Sequence, residues 1–395
     1  MIEMRLKKGR EKSLLRKHLW IFSGALESLS GNAESGETVR VTDSCGNFLA
    51  YAACSPKSQL IGRVWSFDEA AVPGKELFAL RIREAVEFRR FLKLDDPEGG
   101  CRLINSEADG LPGVVVDRFG EFLVMQISSA GAERFKAELT ALLMELTEAK
   151  GIYERSDLPV RLKEGLPERT GLIAGEQPPN PIIIRENGMR FAIDVRHGQK
   201  SGFYFDQRES RQAVAKYAKD RTVLNCFSYT GGFGIAAVKA GAKHVINVDS
   251  SAPAQRQAAH NFEMNKIGKE CFENITGDVF EILRQFVAEK RKFDMVILDP
   301  PKFVDSQKAL AKGCRAYQDI ARLGFQLLNP GGVLFNFSCS GLMTPELFQK
   351  ITADAAVEAN VNGTIVEKLH QSPDHNISLA VPETFYLKGL ISRIK

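Results

Sequence analysis

A cysteine stands where an apolar segment of this chain opens into a polar one. The run LFNFSCSGLM, residues 334–343, begins as a buried strand would and continues as Ser338-Cys339-Ser340-Gly341. A thiol at the end of a strand has two interpretations. It is an inert small residue that fills space in the core, or it is a nucleophile that meets a ligand. The motifs in the same part of the chain bear on the choice.

Three aspartates also end apolar segments of this region. Asp249 ends VINVD, Asp278 ends FENITGD and Asp299 ends MVILD. Each acid alone could cap the helix that follows it. Ligands of open α/β sheets bind at the carboxyl ends of the strands. There Asp249 could accept hydrogen bonds from ribose hydroxyls, and Asp278 could reach an adenine amino group.

A glycine-containing turn precedes these acids. The segment NCFSYTGGFG, residues 225–234, lets the backbone approach a nucleotide-like ligand closely. A dehydrogenase would need glycines arranged for a pyrophosphate, and it gives no reason for the Asp-Pro-Pro sequence at 299–301. The pattern therefore predicts an S-adenosylmethionine-dependent methyltransferase. Its predicted cofactor-binding residues are Phe227, Ser228, Tyr229, Thr230, Gly231, Asp249, Asp278, Asp299, Lys200 and Gln207.

Two methyl-transfer chemistries fit the sequence after Asp299. Enzymes that methylate exocyclic amines of bases carry Asp-Pro-Pro followed by an aromatic residue, whereas here Lys302 takes that place and Phe303 is displaced by one. Carbon 5 of cytosine offers the other chemistry. A thiolate that adds to carbon 6 makes carbon 5 nucleophilic, and a base then removes the carbon-5 proton so that the thiol can leave. Cys339 is the predicted nucleophile and Asp299 the predicted base.

The remaining cysteines are weaker candidates for a nucleophile. Cys226 lies inside an apolar strand and is expected in the core. Cys314, in KGCRAY, is the strongest rival, because we expect a loop there that faces the site.

Basic residues predict contacts with a nucleic acid. The segment HGQKSGFYFDQR, residues 197–208, could cover the methionine end of the cofactor through Lys200 and Gln207, or be a polar loop and helix cap. The first 20 residues hold seven Lys or Arg against two Glu, a local net charge of +5. Such a patch can bind phosphates or be a solvated surface. The predicted RNA contacts are Pro300, Pro301, Lys302, Arg208, Lys7, Lys8 and Arg10.

Composition limits the remaining classes of function. The chain has 395 residues, a net charge of +4 and seven scattered cysteines with no C-x-x-C pair, and its six histidines form no ligand-spaced cluster. We therefore expect no metal, and free thiols in a reducing compartment. No apolar run approaches the roughly 20 residues that span a bilayer, and the N-terminus does not read as a signal peptide. These features predict a cytoplasmic protein that does not contact a membrane.

The secondary-structure pattern predicts a multi-domain α/β chain. Residues 1–75 read as a short basic helix followed by a small β barrel, and 76–180 as a linker helix and a small α+β domain. From 181 to 395, apolar strands alternate with helices, which is typical of a doubly wound, Rossmann-like α/β domain.

Long motifs resemble one family over essentially the whole chain. NCFSYTGGFG, LDPPKF, FSCSGLM, HGQKSGFYFDQR, ADGLPGVVVDRFG, the N-terminal LKKGREKSLLRKHLWIFSGA and the final YLKG are similar to the bacterial ribosomal RNA large subunit methyltransferase I family. The resemblance implies an N-terminal PUA domain that binds RNA, a central α+β domain and a class I methyltransferase domain. It also implies formation of 5-methylcytosine in 23S rRNA, at cytosine 1962 in the usual rRNA numbering, with Cys339 as nucleophile.

The chain departs from the pattern of many RNA 5-methylcytosine enzymes at the residue expected to remove the carbon-5 proton. Many RNA 5-methylcytosine enzymes carry a second cysteine directly after the first Pro of the Asp-Pro-Pro motif, whereas this chain has Pro301 there. Another base must act, and Asp299 is the candidate.

Three hypotheses remain open at this point. The chain is an RNA cytosine-C5 methyltransferase, a base-amine methyltransferase that uses Asp299-Pro300-Pro301 without a covalent step, or a non-catalytic rRNA-binding assembly factor. The expected partner is 23S rRNA, free or in an assembly intermediate, and the sequence leaves open whether the chain forms a homodimer.

Overall fold

A computed structural model describes all 395 residues, and their contacts divide the chain into two compact units. Unit 1 comprises Met1–Ile184, Ile193–Phe205 and Pro373–Thr384. Unit 2 comprises Arg185–Ala192, Asp206–Ser372 and Phe385–Lys395. Each unit is built around its own sheets.

A six-stranded sheet opens unit 1, in the order β2-β6-β5-β4-β1-β3. Its core is apolar because alternate residues such as Val39 and Val41 point inward. The expected basic helix is a single turn, and a strand precedes it, since Met4 and Leu6 alternate into the same core. The elements are β1 Glu3–Leu6, α1 Lys12–Leu15, β2 Trp20–Phe22, β3 Leu26–Leu29, β4 Thr38–Thr42, β5 Phe48–Cys54 and β6 Leu60–Ser66.

A five-stranded sheet follows in unit 1, in the order β11-β10-β9-β8-β7. The predicted helix after residue 75 is present and buries Phe78, Ile82 and Ala85, which share a core with Trp65 of β6. The elements are α2 Lys75–Phe91, β7 Gly100–Asn105, β8 Val114–Phe119, β9 Phe122–Ile127, α3 Ala130–Arg134, α4 Lys136–Thr147, β10 Gly151–Ser156, α5 Val160–Lys163 and β11 Arg169–Gly175.

Two later segments of the chain return to unit 1. Arg89, fully buried on α2, forms an ion pair with Asp109 at 2.8 Å and donates a hydrogen bond to the carbonyl of Asp374 at 2.7 Å. Arg155 donates to the carbonyl of Val195 at 2.7 Å. Buried guanidinium groups need such acceptors, so the segments 193–205 and 373–384 complete the polar core of unit 1.

A seven-stranded sheet forms unit 2, in the order β16-β15-β14-β17-β18-β20-β19. After the hairpin β12 Ile182–Glu186 and β13 Met189–Ile193, its elements are α6 Arg208–Ala218, β14 Thr222–Cys226, α7 Gly232–Lys239, β15 His244–Asp249, α8 Ala252–Met264, β16 Phe272–Thr276, α9 Val279–Ala288, β17 Phe293–Leu298, α10 Leu310–Gln326, β18 Leu328–Ser338, α11 Pro345–Glu358, β19 Gly363–His370 and β20 Lys388–Ile394. The predicted doubly wound α/β domain is confirmed.

The strand order separates this sheet from a dinucleotide-binding one. A dinucleotide-binding sheet continues past its fifth strand with a sixth in the order 3-2-1-4-5-6. Here the last strand of the chain, β20, lies antiparallel between β18 and β19. The last strand of the chain therefore pairs with β18, the strand that Cys339 directly follows.

Helix length bears on membrane insertion. The longest helices, α2 and α10, have 17 residues each, and no helix is both long and apolar enough to cross a bilayer.

A ladder of hydrogen-bonded amide side chains joins β14, β15 and β16, and two of its three members, Asn225 and Asn247, are fully buried. Asn225, Asn247 and Asn274 are opposite one another in register, and successive side chains are joined by hydrogen bonds of 2.9 Å. Gly234 of α7 lies directly on this ladder. The absence of a side chain at 234 therefore sets how closely α7 approaches the sheet.

We expect Gly234→Ala to destabilise the protein by about 1–3 kcal/mol, the usual cost of overpacking a core. The added Cβ would lie 2.5 Å from Asn247 Oδ1, which the ladder prevents from moving. The measurement is urea unfolding followed by circular dichroism. The control is Gly341→Ala in the same unit, where a Cβ meets no atom within 4 Å. Equal unfolding midpoints for the two variants would contradict this account of α7 packing.

Candidate active site

The turn after β14 is held in an unusual backbone conformation. Phe227 and Tyr229 have φ of 57° and 46°, a region that residues other than glycine rarely adopt, and Gly231 has φ of 84°. Such a conformation persists only where neighbours enforce it. Here Asp249 Oδ2 accepts a hydrogen bond from the backbone N–H of Tyr229 at 2.8 Å. The predicted cofactor-binding residues 227–231 thus form one continuous turn anchored to the end of β15.

The other residues of this turn are buried by helix α8. Gln255 donates to Ser228 Oγ at 3.0 Å, and Asn261 donates to the carbonyl of Thr230 at 3.1 Å. A Cβ on Gly231 would lie 3.0 Å from the Phe262 ring. The turn is therefore preorganised before any ligand binds.

The two predicted adenosine ligands also have local structural roles. Asp249 Oδ1 accepts from the N–H of Ser251 at 2.9 Å, and Asp278 Oδ1 accepts from the N–H of Glu281 at 3.1 Å, where Asp278 caps α9. A carboxylate has more lone pairs than these bonds use. Helix capping is thus present at Asp278, whereas the N-cap of α8 is Ser251 and Asp249 holds the backbone just before it. The roles of both acids in cofactor binding stay predictions.

Asp299 and Gln207 meet at the carboxyl ends of the central strands. Gln207 Nε2 donates to Asp299 Oδ1 at 2.9 Å, and the buried Gln207 Oε1 accepts no hydrogen bond. A buried acceptor without a donor is uncommon and calls for an explanation. An ammonium group, such as the one at the methionine end of S-adenosylmethionine, would satisfy it. The residues present therefore fit this cofactor.

Two other residues of the segment 197–208, Arg208 and Lys200, were predicted to contact RNA and the cofactor, respectively. Arg208 is buried and lies 3.5 Å from Glu186, which also pairs with Arg211 at 2.6 Å. This burial favours a structural role over the predicted RNA contact. Lys200 belongs to unit 1, and its ammonium lies 4.3 Å from the centroid of the Tyr204 ring. Its predicted role at the cofactor remains untested.

Asp299 and Cys339 follow neighbouring parallel strands, as predicted. Asp299 comes directly after β17 and Cys339 directly after β18, and Leu298 is in register with Asn336. The two strands therefore deliver a carboxylate and a thiol to one edge of the sheet. Cys339 is half-buried, whereas Ser338 and Ser340 on either side of it are fully buried.

Ser340 joins the two loops that carry these residues. Its Oγ accepts from the N–H of Val304 at 3.2 Å and lies 2.9 Å from the hydroxyl of Tyr317 on α10. The Tyr317 hydroxyl in turn accepts from the N–H of Phe303 at 3.4 Å. Burial raises the pKa of Tyr317, so the group stays protonated and can bridge both loops. The loop of Asp299 and the loop of Cys339 are thus held in one arrangement.

The aromatic ring near the Asp-Pro-Pro motif is committed to packing. Phe303 contacts the rings of Phe227, Phe280 and Tyr317, with centroid distances of 6.4, 5.8 and 4.8 Å. The Phe303 ring therefore packs between the turn 227–231 and α10. Of the predicted RNA contacts in this loop, Pro301 and Lys302 are exposed and Pro300 is buried.

The two competing cysteines, Cys226 and Cys314, lie within secondary-structure elements and not in a loop. Cys226 is fully buried in β14, and burial raises the pKa of its thiol. Cys314 lies within α10, so the expectation of a loop there was wrong; the apolar face of the helix continues through this residue. Burial raises the pKa of Cys314 as well. Neither thiol follows a strand of the sheet, as Cys339 does.

Sequence reasoning assigned no role to Tyr317 or Lys388. Lys388 begins β20, is almost fully buried, and donates hydrogen bonds of 2.6 Å to the carbonyls of Ser340 and Tyr386. The signal available in the sequence was a lysine directly before the apolar strand GLISRI. Its link to Cys339 depends on a pairing between distant strands, which no local pattern reveals.

The basic N-terminal residues lie on the surface of unit 1. Lys7, Lys8 and Arg10 are all exposed. Arg10 lines a cavity of about 240 Å³ together with Trp20 and the exposed Phe22. Cationic and aromatic side chains in one place can hold phosphates and bases.

The whole chain is similar to known methyltransferases. Residues 166–390 match the S-adenosylmethionine-dependent methyltransferase family, and residues 4–67 match the PUA-like domain family. Ribosomal RNA large subunit methyltransferase I of Aliivibrio fischeri strain MJ11 is 48% identical over 393 residues, which cover 100% of this chain and 99% of that protein. The protein of the same name from Yersinia pseudotuberculosis serotype O:1b is 49% identical with the same coverage.

The chain belongs to the ribosomal RNA large subunit methyltransferase I family. It is a methyltransferase that uses S-adenosylmethionine, with a PUA-like N-terminal domain. A SAM-dependent methyltransferase from Streptococcus mutans shares the fold, with a TM-score of 0.86, 22% identity and coverage of 100% of both chains.

We expect Gln207→Leu to weaken S-adenosylmethionine binding about 10- to 100-fold, since a hydrogen bond to a charged group contributes about 1.5–3 kcal/mol. Isothermal titration calorimetry measures the affinity. The control is Gln212→Leu, an exposed position in the first turns of α6, the helix whose N-cap is Gln207. An unchanged Kd for Gln207→Leu would remove Gln207 from the cofactor site.

Proposed function

We propose that this methyltransferase modifies carbon 5 of a cytosine in 23S rRNA through a covalent adduct with Cys339. The observation that carries the proposal is the position of Cys339. It follows β18, next to the Asp299 loop, in a segment that buried hydrogen bonds to Ser340 hold in place. The names of the relatives support rRNA as the substrate.

The geometry supports a sequence of steps at the protein side chains. The Cys339 sulfur adds to carbon 6 of the cytosine, and the electrons of the 5,6 double bond make carbon 5 nucleophilic. S-adenosylmethionine, when bound, supplies an electrophilic methyl group. A base then takes the proton from carbon 5, the carbon–sulfur bond breaks, and the thiolate returns.

Asp299 is the proposed base for the proton at carbon 5. Gln207 donates to its Oδ1 at 2.9 Å, which orients the carboxylate at the end of β17. Asp299 is partly exposed at the end of β17, where a flipped base could approach it. Its position beside the Cys339 loop supports this role.

The amine alternative has less support from the site. Amine methylation would use Asp299-Pro300-Pro301 with an aromatic ring stacked on the base, and here the Phe303 ring packs between Phe227, Phe280 and Tyr317. Cys339 would have no role in that chemistry. The product of the reaction distinguishes the two.

We expect Cys339→Ala to lower 5-methylcytidine formation by at least about 1,000-fold, as loss of a nucleophile does in other covalent enzymes. The substrate is 23S rRNA from a strain that lacks this gene, offered free and as assembling large-subunit particles. Digestion and mass spectrometry identify the methylated nucleoside. The control is Cys314→Ala, which removes the rival thiol on α10 and should retain activity.

Other outcomes of this assay are equally informative. A methyl group on an exocyclic amine, with activity retained in Cys339→Ala, would overturn the covalent mechanism. S-adenosylmethionine binding without turnover on either form of rRNA would favour the non-catalytic assembly factor.

The exposed N-terminal residues are proposed to bind RNA phosphates. We expect charge reversal of Lys7, Lys8 and Arg10 to weaken rRNA binding and to flatten its salt dependence, because phosphate contacts release counterions on binding. The methylated position should not change, since phosphate contacts carry no base specificity. Filter binding at several salt concentrations measures both effects.

The control reverses three exposed lysines of unit 2: Lys219, Lys239 and Lys243. They lie at the ends of α6 and α7 and before β15, away from the carboxyl ends of the strands. If both triple variants bind rRNA equally, the N-terminal patch is a solvated surface and not an RNA contact.

A further inference from the structure

A buried lysine lies beside the segment that carries Cys339. In the antiparallel pairing of β18 with β20, Lys388 is directly opposite Ser338, the residue before Cys339. The lysine is 4% exposed, and its Nζ donates 2.6 Å hydrogen bonds to the carbonyls of Ser340 and Tyr386. Its ammonium is therefore fixed on the backbone of the loop that holds the thiol.

The electrostatics of this lysine involve Cys339. Burial lowers the pKa of Lys388 to about 8, because the charged form loses its water. A negative charge on Cys339 acts in the opposite direction, and the positive charge of Lys302 lowers the pKa further. The Tyr317 hydroxyl contacts Ser340, the residue after Cys339, and a charge on Cys339 adds to the rise in the pKa of Tyr317. The carboxylates of Asp206 and Asp299, in the same unit, accept hydrogen bonds from Tyr386 and Gln207.

A buried ammonium is costly unless an anion lies near it. Carbonyl dipoles satisfy two of the three N–H directions of Lys388, and a negative charge on Cys339 would stabilise its protonated form. Reciprocally, the ammonium stabilises a thiolate at Cys339. This reciprocity gives the lysine a role in the reaction.

We propose that Lys388 is the positioning residue that keeps Cys339 as a thiolate, by taking the thiol proton and remaining beside the sulfur as its counter-ion. This inference rests on the proposed role of Cys339 as nucleophile. It adds a partner on β20 that the motifs around Cys339 do not include.

The proton and the charges balance through the cycle. A neutral Lys388 amine takes the proton from the Cys339 sulfur, which yields an ammonium and a thiolate. When the thiolate forms the bond to carbon 6, its negative charge passes to the cytosine ring. The ammonium of Lys388 then loses its counter-ion. When the carbon–sulfur bond breaks after loss of the carbon-5 proton, the thiolate returns beside the ammonium. The same lysine thus assists both the attack and the departure of the sulfur.

The test is the pH dependence of Cys339 alkylation by iodoacetamide, followed peptide by peptide with mass spectrometry. It uses the full chain and needs neither RNA nor a methyl donor. In the wild-type protein, the alkylation of Cys339 should reach half its maximum at a lower pH than that of Cys45, an exposed cysteine in unit 1. This comparison does not depend on the folding of any variant. A midpoint for Cys339 equal to or above that of Cys45 overturns the proposal.

Variants separate the charge of Lys388 from its hydrogen bonds. We expect Lys388→Met to slow Cys339 alkylation at neutral pH about tenfold. Each pH unit by which the alkylation midpoint rises lowers the thiolate fraction at neutral pH about tenfold. Lys388→Gln keeps two N–H donors for the two carbonyls but has no charge, and it should be slowed equally. The control is Lys368→Met, an exposed lysine on the adjacent strand β19. Wild-type alkylation in Lys388→Gln would overturn the proposal and leave the lysine as a backbone clamp.

Methyl transfer provides a second readout. The kcat of Lys388→Met should be low at neutral pH and should recover as pH rises, because hydroxide then removes the thiol proton without the lysine. A pH-independent loss of kcat would overturn the proposal. Failure of the proposed function gives a different result. If the wild-type protein forms no 5-methylcytidine, the proposed function is rejected, while the alkylation profiles are unchanged by that outcome. If 5-methylcytidine forms but wild type and Lys388→Met have equal alkylation midpoints, only the proposed role of Lys388 is rejected.

Discussion

The geometry of the site depends on the buried hydrogen bonds of one serine. The carbonyl of Ser340 accepts from Lys388, its N–H donates to Ser338 Oγ at 3.3 Å, and its hydroxyl meets Tyr317 and Val304. Breaking any of these would leave a buried polar group unsatisfied, at a cost of about 1–3 kcal/mol. The loops after β17 and β18, and the start of β20, therefore hold one another in place. A thiol between two such anchored serines has little freedom to leave the edge of the sheet.

The topology of the sheet explains why these groups meet. Parallel strands β14, β17 and β18 bring their carboxyl ends to one edge, which places the turn 227–231, Asp299 and Cys339 in succession. The antiparallel strand β20 enters from the opposite direction, so its first residue, and not its last, lies at that edge. This reversal is the feature that departs from a dinucleotide-binding sheet. It is also what allows the C-terminal strand to contribute Lys388.

Local patterns in the sequence were sufficient to predict which residues lie at the ends of the parallel strands. Asp299 and Cys339 could be placed on neighbouring strands because apolar runs mark parallel strands and their last residues mark the edge. Cys314 was misplaced because a short polar stretch before an amphipathic helix resembles a loop. The burial of Arg208 could not be seen either, since its partner Glu186 lies on a hairpin formed earlier in the chain. Lys388 and Tyr317 depend on pairings across long stretches of sequence, and the return of residues 193–205 and 373–384 to unit 1 does so too.

Burying the ammonium group of Lys388 at the start of β20 costs free energy, and this cost needs an explanation. Leu390 and Ile391, two and three residues further along the same strand, are buried in the apolar core, and an apolar residue at 388 would extend that core. Replacing a buried charged group by an apolar one is often neutral or stabilising. A buried ammonium at this position therefore does not follow from stability alone. Its two carbonyl partners could equally accept hydrogen bonds from a neutral amide. What a neutral group cannot supply is a positive charge on the loop that carries Cys339. The proposed thiolate at Cys339 would need such a charge, and that need would account for a lysine where the fold itself does not require one.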